Sequence, residues 1–373
     1  MGELLFDSLE IRNFRLFRHL QIERLGRVNL LVGRNNTGKT AVLEALQLYA
    51  NRDHLSVMRR ILEARDEINQ ATSRLSAEDF EQSPIKYLFH GRKDITEIPD
   101  QIQIKSLTDL DNALYISLDW YIAFEDEGNA LREWKLLLPE EHSLADNPIL
   151  RFTFQIGNQP RYSRPIDLSI RRTSLRTPQN INHVFISTLG IDKYHLGHLW
   201  DSIAITDLEQ NILSALQIVA PEVERFTVIG DREIRSAAGY RLERVPAVRI
   251  EGSGDRIPLK SLGEGINRML GIALALVNAK DGLLLVDEIE SGLHYSVQYD
   301  MWRLVFETAR RLNVQVFATT HSDDCTRAFQ KASKAHAEEG MLIRLGRRQG
   351  DIVATLFDEE ELETAVEQDV EVR

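Results

Sequence analysis

The residues best suited to chemistry form one run, GRNNTGKT, at positions 33–40. Gly33 and Gly38 bracket Arg34, Asn35, Asn36 and Thr37, and Lys39 and Thr40 follow directly. A glycine-bearing loop of this kind turns successive backbone N–H groups inward onto phosphate oxygens. Lys39 would reach the β- and γ-phosphates of a nucleotide, and the Thr40 hydroxyl would ligate Mg²⁺. The loop works only between a strand and a helix, whose N-terminal partial positive charge adds to the site. Both flanks are present. VNLLV at 28–32 reads as a short buried strand, and Val42, Leu43, Leu46 and Leu48 mark the apolar side of a helix.

Such a loop alone does not separate kinases, GTPases and motor ATPases. The second half of the chain carries three further groups. LLLVDEIE is an apolar strand that delivers Asp287 and Glu288 at its end. Asp287 would hold Mg²⁺, and Glu288 would polarise the attacking water. Alone, the pair reads equally as a strand end reaching solvent. KSLGEGINRMLGIALAL places Ser261, Gly263 and Glu264 where a helix N-terminus could meet an anion. The plainer reading is a helix cap by Ser261. VQVFATTHS ends a strand at His321, which could contact a γ-phosphate or position water, or simply face solvent.

These groups need a scaffold. Short apolar stretches between 4 and 32 predict strands leading into the loop. Residues 51–80 read as a polar, charge-mixed helical insertion, most simply a solvated lobe. From 101 to 155 the pattern predicts strands joined by Asp-, Asn-, Gly- and Pro-bearing turns, as in an antiparallel meander. LEQNILSALQIVAPEV predicts an amphipathic helix stopped by Pro221. The stretch 341–357 predicts a hairpin turning at 347–351, and the acidic end a short surface helix. There are no sustained heptads, so long coiled-coil arms are not expected.

Composition narrows the setting. The chain has 373 residues, 43% hydrophobic and 27% charged, as in ordinary globular proteins. No apolar run approaches the ~20 residues of a membrane span, and the acidic N-terminus is no secretory signal. A single cysteine, Cys325, excludes an internal disulfide framework and fits a reducing, cytoplasmic compartment. A net charge of −12 confines any DNA contact to a local patch. The candidate is the stretch 151–176, with six arginines against Asp167 and with Tyr162 available for stacking. A solvated face or a partner-docking site explains it as well.

In this order, residues 33–40, 261–265, 283–288, 291–294 and His321 resemble the Walker A, signature, Walker B, D-loop and H-loop of an ABC-type ATPase head. The opening SLEIRNFRLFRHLQIERLGRVNLLVGRNNTGKT is similar to the start of RecF, SMC and OLD (overcoming lysogenisation defect) proteins. LFHGR, IPLKSLGEGINRMLGIALAL and DEIESGLHYSVQYDMW resemble the stand-alone OLD-like, AAA15-type ATPases. The resemblance implies an α/β fold: a RecA-like mixed sheet with helices on both faces, an N-terminal antiparallel β subdomain and a helical lobe insertion. It divides the chain into 1–50 (strands and Walker A), 51–100 (helical insertion), 101–180 (antiparallel β), 181–260 (helical lobe) and 261–373 (the remaining motifs and hairpin).

The resemblance also implies ATP and Mg²⁺ as cofactors and head-to-tail dimers, with higher-order assembly left open and with Ser261 and Gly263 on the γ-phosphate held by the other subunit. The signature reads Lys-Ser-Leu-Gly-Glu, the D-loop ends in His294, and no proline follows Glu288. These departures argue against a transporter subunit. Gln103, Gln155 and Gln159 each qualify as the Q-loop glutamine. OLD proteins carry a Toprim nuclease, for which the 52 residues after His321 leave too little room, so the chain is not expected to cut nucleic acid. The function implied is an ATPase that regulates or senses for a separately encoded effector, a Toprim-like nuclease, in genome or antiphage defence. The alternatives are a RecF-like, DNA-binding repair ATPase and a nucleotide-gated scaffold with negligible turnover.

Overall fold

The computed structural model describes residues 3–68, 83–92, 101–124, 133–138, 140–141, 145–166, 180–191, 193–236, 239–336 and 338–358. The chain opens with the hairpin β1 (Leu9–Phe14) and β2 (Phe17–Ile22), then β3 (Val28–Val32), α1 (Lys39–Asn51) and α2 (Leu55–Glu63). β4 (Ile102–Lys105), β5 (Leu114–Phe124), β6 (Glu133–Leu136), β7 (Ile149–Ile156) and β8 (Tyr162–Pro165) follow. Next come β9 (His183–Ile186), α3 (Lys193–Asp201), α4 (Glu209–Val219), β10 (Val223–Ser236), β11 (Gly239–Ile250) and β12 (Ile257–Pro258). α5 (Glu264–Asn278), β13 (Leu283–Val286), α6 (Tyr295–Leu312), β14 (Gln315–Thr319), α7 (Asp323–Ser333), β15 (Gly340–Arg348) and β16 (Asp351–Phe357) complete the chain.

Uninterrupted apolar runs make the central sheet, because parallel strands are buried on both faces. Its order is β16-β15-β3-β14-β13-β9, parallel from β15 to β9, with β16 returning antiparallel. Alternate side chains feed two cores. Leu30, Leu284, Val286 and Val316 pack with α3 to α7 on one face. Leu31, Leu283, Leu285 and Phe317 pack with α1, α2 and a second, antiparallel sheet on the other. That sheet runs β2-β1-β4-β5-β7-β8, with β6 pairing to β5. This is the mixed α/β head expected from the sequence, with helices on both faces.

Four local readings change. The strands after 101 do not form a simple meander, because the long β5 pairs with β4, β6 and β7 alike. β4 also pairs with β1, so the first strands and the 101–165 segment share one sheet. α2 is not solvated all round, since Leu55, Val57, Met58, Ile61 and Leu62 turn inward at helical spacing. Within the expected helical lobe 181–260, α3 and α4 are joined by β9 and by the long hairpin β10–β11. Past Pro221 the sequence alternates as a strand does, in runs such as ERFTVIG. The hairpin β15–β16 turns at Gln349 and Gly350, both with positive φ, between paired Arg348 and Asp351. The acidic end after 358, and residues 69–80 of the 51–80 reading, lie outside the described residues. Among the described residues, no helix is long and apolar enough to cross a membrane.

Glu10 fastens three strands of the antiparallel sheet. Its carboxylate lies 2.8 Å from Arg12 Nη2 on β1, 2.8 Å from His19 Nε2 on β2 and 2.9 Å from Lys105 Nζ on β4. Burial alone would push this carboxyl up. Hydrogen bonds from Lys105, Arg12 and His19 outweigh it and hold the group at about 2, below its ordinary 4.5. The folded state therefore gains from the ionised carboxylate above about pH 4.5 and loses that gain as pH falls towards 2. In acid titrations followed by circular dichroism, Glu10→Gln should be less stable than wild type at neutral pH. It should also lose less stability between pH 4.5 and 2; equal slopes in this window would refute the assignment.

Candidate nucleotide site

The loop 33–40 leaves β3 at its C-terminal end and enters α1 at Lys39. Gly38 adopts φ +97°, and a Cβ there would lie 2.6 Å from the Phe17 ring on β2. Only glycine fits, for conformation and for space. Gly33, at φ +140°, is equally closed, with a Cβ meeting the Leu345 carbonyl at 2.3 Å. Thr37 Oγ1 donates to the Arg34 carbonyl at 2.8 Å. Lys39 Nζ donates to the carbonyls of Gly33 at 2.6 Å and Arg34 at 3.1 Å, which closes the loop around the ammonium. Burial lowers the Lys39 pKa, and the carboxylates of Asp287, Glu288 and Glu290 pull it back up. Arg34, Asn35 and Asn36 are exposed along the rim, where Arg347 reaches the Asn36 carbonyl at 3.3 Å. α1 begins with no side-chain cap, so its first N–H groups remain directed at the loop.

Asp287 follows the last residue of β13, and three threonines converge on its carboxylate. Thr40 Oγ1 lies 3.2 and 3.3 Å from the two oxygens, Thr319 Oγ1 donates at 2.7 Å and Thr188 Oγ1 at 3.2 Å. One carboxylate among hydroxyls is a hard, all-oxygen donor set, which suits Mg²⁺ completed by phosphate oxygens. Among the described residues there is no cluster of three or more His, Cys, Asp or Glu that would instead build a cage for a metal.

Glu288 sits at φ +47°, an uncommon left-handed conformation for a long side chain. Its N–H donates to Thr319 Oγ1 at 2.8 Å, and its carboxylate lies 3.7 Å from His321 Nε2. Both side chains are part-exposed, at 38% and 40%. The His321 N–H donates to Glu290 Oε1 at 3.1 Å. The structure thus brings Lys39, Thr40, Asp287, Glu288 and His321 to one edge of the central sheet. A cavity of about 710 Å³ adjoins this edge, reaching from Thr40, Asp287 and Thr188 to Arg60, Arg65 and His195.

The signature residues stand apart from this cluster. Ser261 lies in a 3-10 turn, Leu259–Leu262, and is exposed. It does not cap α5, because the N-cap is Gly263, at φ +104°, with no side-chain bond to the helix. Glu264 is exposed and pairs with Lys260 at 3.5 Å. In the 291–294 segment, His294 caps α6, its Nδ1 accepting from the Ser296 N–H at 3.4 Å.

The three glutamines held open for the Q-loop all belong to the antiparallel sheet or its turns. Gln103 pairs with Tyr115, Gln155 accepts from Arg161, and the Gln159 N–H donates to the Ile156 carbonyl. The residues that reach Asp287 from the strands beside β13 are Thr319, ending β14, and Thr188, just past β9. In its described part, the arginine-rich stretch bonds within the fold. Arg151 stacks on Trp134 at 4.0 Å and bonds Ser163, Arg164 pairs with Asp53 at 2.7 Å, and Tyr162 stacks on Phe154. Asp167, Arg171, Arg172 and Arg176 lie outside the described residues.

A phosphate loop on a parallel sheet, a carboxylate pair at the end of β13 with one strand between, and a covering antiparallel sheet together define an ATPase of the ABC-head type. Residues 6–150 and 171–326, well over half of the chain, match the family described as AAA ATPase domain, AAA_15, and the chain belongs to that family. It is similar to a protein named ATP/GTP phosphatase from Helicobacter pylori, at 23% identity over 338 residues that make up 86% of each chain. Among solved structures, the SMC head domain from Thermotoga maritima covers 94% of this chain and 98% of its own at 14% identity, with a TM-score of 0.43. An SMC head bound to the C-winged helix domain of ScpA covers 95% and 98% at 11% identity, with a TM-score of 0.48.

Thr319 carries much of the geometry, donating to Asp287 and accepting from the Glu288 N–H. Thr319→Val keeps the shape and leaves that N–H without its partner. Chemical denaturation should show a loss of about 1–3 kcal/mol, together with a fall in ATP turnover. Unchanged stability would mean that this bridge contributes nothing.

Proposed function

We propose that the chain is an Mg²⁺-dependent ATP hydrolase that closes as a head-to-tail homodimer around two nucleotides and thereby controls a separately encoded effector. The observation that carries the hydrolytic part is the meeting of Thr40, Thr188 and Thr319 on Asp287, next to Glu288 and one sheet strand away from Lys39. In this reading residues 33–40 and the α1 N-terminus bind the phosphates, and Lys39 neutralises the β- and γ-groups. Thr40 and Asp287 would hold Mg²⁺, which would supply charge neutralisation for the transferred phosphoryl group. Glu288 orients the attacking water, and His321, at ion-pair distance from it, steadies the carboxylate and faces the γ-phosphate.

The dimeric part is supported by the exposed, uncapped start of α5. Ser261, Gly263 and Glu264 are exposed there, no side chain caps the first turn of α5, and a second protomer's γ-phosphate fits that demand. The effector, a Toprim-like nuclease acting in genome or antiphage defence in the cytoplasm, is proposed on the resemblance to OLD-like ATPases. On the same resemblance, to OLD-like ATPases without a Toprim domain, the purified chain is expected to leave DNA and RNA uncut with Mg²⁺ or Mn²⁺.

Lys39→Ala should abolish tight Mg-ATP binding in a folded protein. Glu288→Gln should retain ATP and lower kcat by about 10²-fold or more. Wild-type turnover in that variant would place the catalytic carboxylate elsewhere. Ser261→Arg should block ATP-dependent dimerisation, seen by light scattering. Mixed with Lys39→Ala, it should regain about one working site per heterodimer; a mixture as inactive as its components would remove the composite site.

A further inference from the structure

Arg268 lies one turn into α5 and is 6% exposed. Its guanidinium donates to four backbone carbonyls: Nη1 to Ser187 at 2.8 Å, Nη2 to Asp287 and to Glu288, both at 2.6 Å, and Nε to Ile289 at 3.4 Å. Among the described residues it pairs with no carboxylate. Burial lowers its pKa, and the nearby charges of Glu290, Asp287 and Glu288 raise it only in part. A buried cation spent on carbonyls is a poor source of stability, and such groups are better explained by the geometry they impose.

The geometry imposed here is specific. Three of the carbonyls belong to consecutive residues, 287–289, and the middle one, Glu288, is held at φ +47°. A non-glycine residue persists there only when its surroundings over-determine it. Thr319 grips the N–H side of Glu288, and Arg268 grips the carbonyl side. The fourth carbonyl, of Ser187, opens the turn that carries Thr188 to Asp287. One side chain thus ties both polar arms of the metal and water site to α5. The start of α5 is four residues away, about 6 Å along the helix. There Gly263 and Glu264 are exposed, and the helix start touches the 291–294 segment closely: a Cβ on Gly265 would lie 2.9 Å from the Gly292 carbonyl.

We propose that Arg268 is the positioning residue that makes hydrolysis at Glu288 depend on what binds the N-terminus of α5. The assignment rests on the ATPase reading above. A phosphate drawn onto residues 263–265 shifts a short, rigid helix turn. Arg268 passes the shift to the backbone of 287–289 and to the 187–190 turn. Glu288 then gains or loses its alignment, and displacements near 1 Å are enough to change rates about 10²-fold. Binding of ATP to the chain's own loop does not pass through Arg268.

The test uses the full chain with Arg268→Met, Arg268→Lys and Gly265→Ala. ATP affinity, measured by titration, should stay within about twofold of wild type in both Arg268 variants. kcat should fall about tenfold or more in Arg268→Met. It should fall less in Arg268→Lys, which keeps a donor, and should also fall in Gly265→Ala, which disturbs the start of α5 and leaves Arg268 intact. A purely structural role would lower affinity and kcat together with the folded fraction, and that result, or wild-type kcat in Arg268→Met, overturns the proposal. Amide exchange at 287–289 separates this failure from failure of the ATPase reading. It should quicken in Arg268→Met even if the wild-type chain shows no turnover, and unchanged exchange there overturns the link by itself.

Discussion

The site depends on the register of the parallel sheet. Ile186, Val286 and Ala318 are level on β9, β13 and β14, and Thr319 is level with Leu31 on β3. Strands held in this register end together, so the residues just past them are presented side by side: Thr188, Asp287, Thr319 and, after the loop, Thr40. A slip on any one strand would turn its side chains to the other face and remove one hydroxyl from the carboxylate. Burial on both faces prevents the slip. Leu285 and Phe317 are committed to one core while Leu284 and Val316 are committed to the other.

The antiparallel sheet serves this arrangement from behind. α1 lies between the two sheets, and its apolar residues Ala41, Val42, Leu43 and Leu46 share one core with Phe14, Phe17 and Phe152. The phosphate loop is therefore pressed against β2 through the contact of Gly38 with Phe17. The turn between β1 and β2 is anchored in turn by Arg15, which pairs with Glu67 at 2.9 Å and lies against Glu44 on α1. Arg65 reaches the same Glu44 at 2.7 Å. These contacts link α1, the β1–β2 turn and the end of α2, and so fix where the helix N-terminus points.

Chemistry carried by a contiguous run was legible in the sequence. GRNNTGKT, LLLVDEIE and VQVFATTHS each combine a strand signal with polar residues at its end, and the structure places all three on one sheet edge. The hairpin at 349–350 and the helix before Pro221 were legible for the same local reason. What escaped was whatever depends on distant strands lying side by side. Thr188 and Thr319 are ordinary threonines until β9 and β14 flank β13, some 100 and 30 residues away in the chain. Arg268 reads as one polar residue in an apolar helix; its carbonyl partners are visible only once that helix is packed. The glutamines considered for the Q-loop were found by residue type alone, and their described pairings lie in the antiparallel sheet and its turns. Gly292 and Gly265 likewise gain meaning only from their mutual contact.

Cys325 is the only cysteine in the chain and is fully buried on α7. Trp302 donates its indole N–H to the Cys325 carbonyl at 3.2 Å, and burial pushes the thiol up to about 12. At neutral pH almost none of it is thiolate, the form that reacts. The native protein is thus close to silent towards maleimides and spin labels. A cysteine introduced on the exposed turn at Leu189 or beside Tyr295 would carry the only reactive sulfur, so distances across the proposed dimer could be read without first removing a core residue.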